Sequence, residues 1–329
     1  MSTPMRLRRV LFLSLVILPF STGGAESHSQ PRVVQRSPAQ SAVSNPSWSI
    51  ETIESTPMVY VGHYVSVDVR PRPVRTMISH YAATNGALRM AQYRQAGGNC
   101  GPQNSWLCAL RDGEVEDVGQ YSSLALGPIL PIWFSSVAYY DAGDGALDYD
   151  GIVGSAPGGI GMGPIDSPGL AGFTAGKYAS LALDSNGDPH IAYNYRTPLS
   201  GGQEYLKYAT ATPGGTGNCG SGSQLGKWQC DTVDSGAVSM GRYASLALSA
   251  GDTPSVAYYN GNYGDLWWAR KGGTYTNCGP GGDTWACFAI DITGDVGMFA
   301  SLVRDKSSNI PSIAYFDATE EALKYAVLV

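Results

Sequence analysis

The sequence predicts an all-β fold built from five copies of one unit, and three observations carry that prediction. One phrase recurs, as Tyr64-Val-Ser-Val, Tyr121-Ser-Ser-Leu, Tyr178-Ala-Ser-Leu, Tyr243-Ala-Ser-Leu and Phe299-Ala-Ser-Leu, with anchors 57, 57, 65 and 56 residues apart. The composition of 42 Gly, 20 Pro and 20 Tyr suits short strands and tight turns better than helices. Each copy is too small to bury its own apolar faces, so stability has to come from stacking of copies.

Residues 1–25 read as an export signal: Arg6, Arg8 and Arg9 precede the apolar run Val10 to Phe20, and small residues end at Ala25. That run is too short to span a bilayer, and no comparable run follows. Residues 26–46, rich in Ser, Pro and Gln, read as a disordered leader, which leaves 47–329 as a single domain. Removing the signal moves the formal charge from -6 to -9. Nucleic acid and anionic membranes are bound through clustered Lys and Arg, so neither is an expected partner. The expected location is secreted, extracellular or periplasmic.

Within each copy four segments show strand chemistry. Segment A is the anchor phrase, whose two faces are both uncharged and so read as buried. Segment B appears as Ile191-Ala-Tyr-Asn, Val256-Ala-Tyr-Tyr, Ile313-Ala-Tyr-Phe, Val137-Ala-Tyr-Tyr and Ile78-Ser-His-Tyr. Segment C appears as Leu206-Lys-Tyr-Ala, Leu266-Trp-Trp-Ala, Leu323-Lys-Tyr-Ala, Leu147-Asp-Tyr-Asp and Leu88-Arg-Met-Ala, with the alternation of a more exposed strand. Segment D starts at Trp106, Trp228 and Trp285. The fifth copy ends at Val329 without a D segment. Trp48 to Glu54 lies 16 residues before Tyr64, against 15, 15 and 14 for the three tryptophans and their following anchors. The expectation is therefore a closed five-bladed β-propeller of four-stranded blades, with the N-terminal strand completing the last blade and hiding sheet edges. A monomer is expected.

Six cysteines fall into sequential pairs, Cys100 with Cys108, Cys219 with Cys230 and Cys278 with Cys287, each in the context Asn-Cys-Gly, short loop, Trp-x-Cys. Repeat equivalence selects these three disulfides, each stapling a C to D hairpin. Segment 151–173, rich in Gly and Pro, lacks both the Trp and the cysteines and reads as an irregular D region, either a decayed outer strand or a ligand-contacting loop.

No catalytic motif stands above the repeat. The four histidines belong to the leader or to different strand positions, so no metal and no cofactor are expected; His80 reads as an interior residue and His190 as a turn residue. Clustered acids from Asp141 to Asp148 lack EF-hand spacing, and Asp141, aligned with Asn194, Asn260 and Asp317, reads as a cap of the B to C turn. Strands A and B are antiparallel, so the start of A and the end of B share one rim. His63, Gln120, Lys177, Arg242 and Met298 stand at the first position, and Asp141, Asn194, Asn260 and Asp317 at the second. Apart from Met298, these are the candidate ligand-binding residues for a glycan or a protein.

The phrase Tyr178-Ala-Ser-Leu-Ala-Leu-Asp-Ser-Asn-Gly-Asp-Pro-His-Ile-Ala-Tyr, closing with Leu-Lys-Tyr-Ala, resembles a repeat of large, secreted bacterial β-propeller proteins that are largely uncharacterised. The likeness covers residues 48–329 and implies a fold but no activity. Two functions follow as expectations: a non-enzymatic scaffold binding a polar ligand on the shared rim, or a glycan-cleaving enzyme, hydrolase or lyase, with carboxylates such as Asp141 and Asp317 on the axis.

Overall fold

The computed structural model describes residues 49–55, 60–71, 74–113, 116–127, 135–151, 161–198, 202–212, 214–235, 239–279, 284–305 and 307–329; the export signal, the leader and Trp48 lie outside them. Ile50 to Val329 form one compact unit. Its described residues contain nineteen strands and short 3-10 turns, with no α-helix.

The strands make five antiparallel meanders in chain order. The first sheet holds β1 (His63–Pro71), β2 (Val74–Ala82), β3 (Ala87–Tyr93) and β4 (Trp106–Asp112). The second holds β5 (Val118–Leu126), β6 (Ser135–Asp141), β7 (Ala146–Asp150) and β8 (Gly163–Asp166). In the third are β9 (Thr174–Leu183), β10 (Pro189–Arg196), β11 (Glu204–Ala211) and β12 (Trp228–Asp234). The fourth has β13 (Arg242–Leu248), β14 (Pro254–Asn260), β15 (Asp265–Lys271) and β16 (Trp285–Asp291). The fifth has β17 (Val296–Arg304), β18 (Pro311–Asp317) and β19 (Ala322–Val327). Segments A to D are thus strands one to four of the first four sheets, and A to C are the three strands of the fifth. Even the irregular 151–173 region supplies a short fourth strand, β8, whose Asp166 takes the place of Asp112, Asp234 and Asp291; residues 152–160 lie outside the described set.

Two repeated devices hold neighbouring sheets together. The serine of each of the first four anchor phrases accepts a hydrogen bond from the next inner strand: Leu124 N–H donates to Ser66 Oγ (3.0 Å), Leu181 to Ser123 (3.0 Å), Leu246 to Ser180 (2.9 Å) and Leu302 to Ser245 (2.9 Å). Two residues before each anchor stands a glycine with positive φ. Gly119, Gly176, Gly241 and Gly297 lie so close to Leu88, Leu147, Leu206 and Leu266 of the preceding sheet that a Cβ would come within 2.7 or 2.8 Å of a backbone Cα. Those four leucines have no exposed surface, and burying each is worth about 2 kcal/mol.

All three disulfides form as expected. The asparagine before each first cysteine explains its repetition. Asn99, Asn218 and Asn277 each accept from the backbone N–H, and donate to the backbone carbonyl, of the second cysteine, bracing the hairpin across its ends.

Two expectations need correction. The first strand is not the most buried of its sheet: β6, β7 and β14 are buried along nearly their whole length, whereas one face of the first strand opens on a cavity described below. The described part of the N-terminal segment, Ser49–Ser55, forms no strand, and the last sheet has three strands. The segment lies instead on the first sheet: Trp106 donates to Glu51 (3.0 Å), and Glu54 pairs with Arg89 (2.5 Å) and His80 (3.2 Å). The Glu54–Arg89 ion pair, the Trp106–Glu51 hydrogen bond and the packing of Ile53 against Ala91, Trp106 and Cys108 hold it there, with no backbone pairing to β19.

Candidate binding site on the inner strands

The anchor aromatics have left-handed backbone: Tyr64, Tyr121, Tyr178, Tyr243 and Phe299 have φ of 48, 54, 55, 53 and 54°. For a bulky residue that conformation costs about 1 to 2 kcal/mol, and here it recurs in all five copies. Its local cause is a bulge between the first two strands, seen as a register shift from His63 to Ser66, Gln120 to Ser123, Arg242 to Ser245 and Met298 to Ser301, and beside Asn194 in the third sheet. A bulge re-aims the side chain it carries.

The result is a cavity of about 240 Å³ lined by all five anchor rings and the residue after each. Successive rings lie 4.6, 4.8, 4.8 and 4.6 Å apart between centroids, tilted by 42 to 57°. A second tier backs them edge-on: Tyr81, Tyr140, Tyr259 and Phe316, at 5.9 to 6.4 Å from their anchors. Burial, then the Asp117 carboxylate, pushes the Tyr81 phenol up to about 12; burial, then Asp141 and Asp117, does the same to Tyr140. These phenols stay protonated and act as donors, Tyr81 to Asp117 (2.6 Å) and Tyr259 to Asp295 (2.7 Å).

The residues expected at this rim divide into two groups. At the start of the first strand, His63 is exposed, Gln120 donates to Asp117 (3.2 Å) and Lys177 stands over the Tyr140 ring (5.4 Å). Arg242 grips Glu204 with two hydrogen bonds of 2.6 and 2.9 Å. Each of these four immediately precedes an anchor of the aromatic cavity, whose lining is the anchors and the residues after them. The second-strand residues instead turn inward and are buried. Asp141 Oδ1 accepts from the N–H groups of Gly143 and Asp144, Asn260 from Asn262, and Asp317 from Thr319 and Glu320, so these three cap turns, as one sequence reading has it. Burial raises the Asp141 carboxyl, partly offset by those backbone donors. Asn194 is out of frame with them. It pairs with Lys177, as Tyr140 pairs with Gln120 and Tyr259 with Arg242, and its amide donates to the Met240 carbonyl. The alignment of Asn194 with Asp141 is therefore shifted by one residue, and Tyr195 takes that place.

Sequence reasoning missed the five anchors as site residues, although the signal is present. Each belongs to a Gly-x-Tyr or Gly-x-Phe triplet, from Gly62-His-Tyr64 to Gly297-Met-Phe299, whose glycine has positive φ. Two larger hollows, about 570 Å³ each, lie beside the Cys100–Cys108 and Cys219–Cys230 hairpins. Polar side chains there, such as Glu54 and Asn218, are already paired.

No known family model and no curated protein sequence matches this chain. Solved structures do. A protein of unknown function from Dyadobacter fermentans DSM 18053 is similar over 84% of this chain and 80% of its own, with a TM-score of 0.51 at 13% identity. The endo-arabinase of Bacteroides thetaiotaomicron VPI-5482 is similar over 80% and 92%, with a TM-score of 0.40 at 9% identity. Penicillium chrysogenum α-L-arabinanase complexed with arabinobiose is similar over 86% and 98%, with a TM-score of 0.36 at 10% identity. At these identities the likeness to the first of them is one of fold, an all-β array of antiparallel sheets.

Proposed function

We propose that this protein is an exported, non-enzymatic carbohydrate-binding scaffold whose five sheets close into a five-bladed β-propeller. The observation that carries the binding reading is the set of five strained aromatic anchors around one cavity. Strain repeated at every copy is a cost that folding alone does not require, and aromatic faces match the apolar C–H face of a sugar ring. Around them Gln120, Lys177 and the Asp117 and Asp295 carboxylates supply the hydrogen-bonding groups that sugar hydroxyls need.

Closure rests on the repeated seam. Gly62 is the fifth member of the glycine set, with φ of 84° and nothing within 4 Å, while Leu323, the fifth leucine, is 84% exposed. Ser301 and Val67 are the fifth serine and the residue that would donate to it; both are exposed. Leu88, Leu147, Leu206 and Leu266 pair in register with Asp112, Asp166, Asp234 and Asp291, which puts Glu54 opposite Leu323 in the closed form.

Cleavage of a glycan is the alternative, and it needs two carboxylates facing one bond. Asp141 and Asp317 are committed to turns, which leaves Asp117 and Asp295 on the rim. A glycan array with parallel calorimetry and a reducing-sugar assay tests both readings, and arabinobiose, bound in one similar structure, is the first ligand to include. Binding without turnover, weakened about tenfold in Tyr178→Ala, supports the scaffold; turnover lost in Asp117→Asn or Asp295→Asn replaces it with the enzyme. Absence of any sugar binding sinks both.

A further inference from the structure

Positions that serve packing are repeated from copy to copy, and the strand ends farthest from the anchors hold a charged row that is not. Where β1 turns into β2, Arg70 stands opposite Arg75. Carrying the β2 to β3 register on by two residues from Met77 and Gln92 puts Arg94 opposite Arg75 on its other side. Residues opposite one another share a face, with Cα atoms about 5 Å apart. Three arginines therefore line up across the first sheet. Met77, on the same face as Arg75, packs with Leu126 of the second sheet, and Arg70 donates to the Leu126 carbonyl, so the row lies at the edge of the seam between those two sheets. The aligned pairs elsewhere, Asp184 with Asp188, Ser249 with Thr253 and Asp305 with Ile310, hold no cation.

The row works against folding, because like charges directly opposite destabilise a sheet. Among the described residues no carboxylate pairs with Arg70, Arg75 or Arg94. Asp68, two residues before Arg70, is taken by the N–H groups of Val69 and Leu126. The Nε atoms of Arg70 and Arg75 are buried without a hydrogen-bond partner. Burial, then the Arg94 charge, lowers the Arg75 pKa from its usual value. In sequence, the connections that follow β5 and β7, residues 127–134 and 151–162, contain no Asp or Glu that could neutralise the row. Arg94 is exposed, and Arg70 and Arg75 are half-buried, so an outside ligand has access.

We infer that Arg70, Arg75 and Arg94 form a binding site for the carboxylate or sulfate groups of an acidic polysaccharide. A guanidinium fork meets either oxyanion with two parallel hydrogen bonds. Three forks in line span about 10 Å, which fits successive anions on a chain better than one isolated ion. Nucleic acid fits less well, since a phosphate backbone is held by more than three cations and the net charge of -9 repels it. That the polymer is a glycan rests on the carbohydrate reading of the aromatic cavity; the anion site itself does not. Arg70 lies six residues beyond Tyr64 on β1, about 20 Å along the strand, so the two sites are separate.

The test is calorimetric titration of the full, disulfide-intact chain with oligogalacturonate, sulfated dextran and a short DNA duplex. Oligogalacturonate or sulfated dextran should bind, and the tighter of the two names the anion. Binding should fall with added salt and weaken about tenfold in Arg75→Gln and in Arg94→Gln. It should stay unchanged in Arg196→Gln, which removes one exposed charge from the third sheet, and in Tyr178→Ala. Without ligand, Arg75→Gln should unfold at no lower temperature than the wild type, because it relieves the repulsion. Binding of neither glycan, equal binding in Arg75→Gln, equal loss in Arg196→Gln or tighter binding of the duplex overturns the inference. So does loss of the acidic glycan in Tyr178→Ala, which would move the anion to the cavity. Failure at the arginine row leaves the cavity reading standing, since that reading is scored on neutral sugars. Should Arg75→Gln fold poorly, Arg94→Gln, at an exposed position, decides.

Discussion

Among the described residues, four sheets have their third strand covered by a neighbour, and one does not. Leu88, Leu147, Leu206 and Leu266 have 0% exposure, whereas Leu323, the same residue of the same phrase, has 84%. Sequence-local chemistry therefore sets neither the burial nor the stability of a copy. What the next copy brings, a glycine against the leucine and an N–H to the serine, sets both, as expected where stability is a sum over neighbouring interfaces. The first sheet brings the same parts, Gly62 and the Val67 N–H, with Val65, Val67 and Val69 exposed beside them. The two bare ends carry the same parts as the two sides of the seam made four times elsewhere.

The largest effect that sharpens this comparison comes from the glycines. A Cβ on Gly176 would lie 2.8 Å from Leu147 Cα, at a φ of 105°. Gly176→Ala should cost about 3 kcal/mol or more, from overpacking against backbone and from left-handed strain. Gly62→Ala should cost only the strain, about 1 to 2 kcal/mol, if the end sheets stay apart, and as much as Gly176→Ala if they close. Urea unfolding midpoints of the two variants distinguish these outcomes directly.

Next come the disulfides. Cys219 and Cys230 close a short loop on the third sheet, and replacing both with serine should cost about 2 to 3 kcal/mol in the chain-entropy picture. Equal losses are expected for the other two pairs, since all three hairpins carry the same asparagine brace. A loss near zero at one pair would mean that its hairpin is held by Asn99, Asn218 or Asn277 alone.

Much of this was legible in advance because the repeat oversamples it. Five copies fixed the phase of the strands, and the Asn-Cys-Gly and Trp-x-Cys contexts fixed the cysteine pairing. The anchors were not legible as site residues, since alternation along a strand assumes an unbroken period of two, and the bulge at each Tyr breaks it. Asn194 was misplaced for a related reason: a polar residue at the strand end looks like its polar neighbours in sequence, and only the pairing with Lys177 shows it standing where Tyr140 and Tyr259 do. The seating of Glu54 on His80 and Arg89 depends on residues far apart in the chain, which no local pattern encodes.

The serine clips should give smaller changes. Ser180→Ala leaves the buried Leu246 N–H without its acceptor and should cost about 1 to 2 kcal/mol. Ser301→Ala is the matched control at the bare end. No change is expected there if the array is open, and a cost equal to that of Ser180→Ala if Ser301 accepts from Val67 in a closed ring.

The smallest effect lies at the first sheet, where His80 stands in the position of Tyr139, Tyr193, Tyr258 and Tyr315. Burial lowers the His80 pKa below its usual value; Glu54 works against that shift and Arg89 with it. Above about pH 6.5 the imidazole is neutral in both folded and unfolded chains. As pH falls through that value the unfolded chain takes up the proton first, so stability is lost until the folded imidazole also charges. Urea midpoints measured from about pH 8 to about pH 5 should therefore decline in the wild type. His190 is lowered by burial too and adds a slope of its own, so the informative quantity is the difference from His80→Tyr. That variant restores the phenol-to-carboxylate contact made by Tyr139 on Asp112, now directed at Glu54, and should decline less. An identical decline in both proteins would mean that His80 is solvated in solution and that Ser49–Ser55 is not seated on the first sheet, removing the segment that ring closure needs in place.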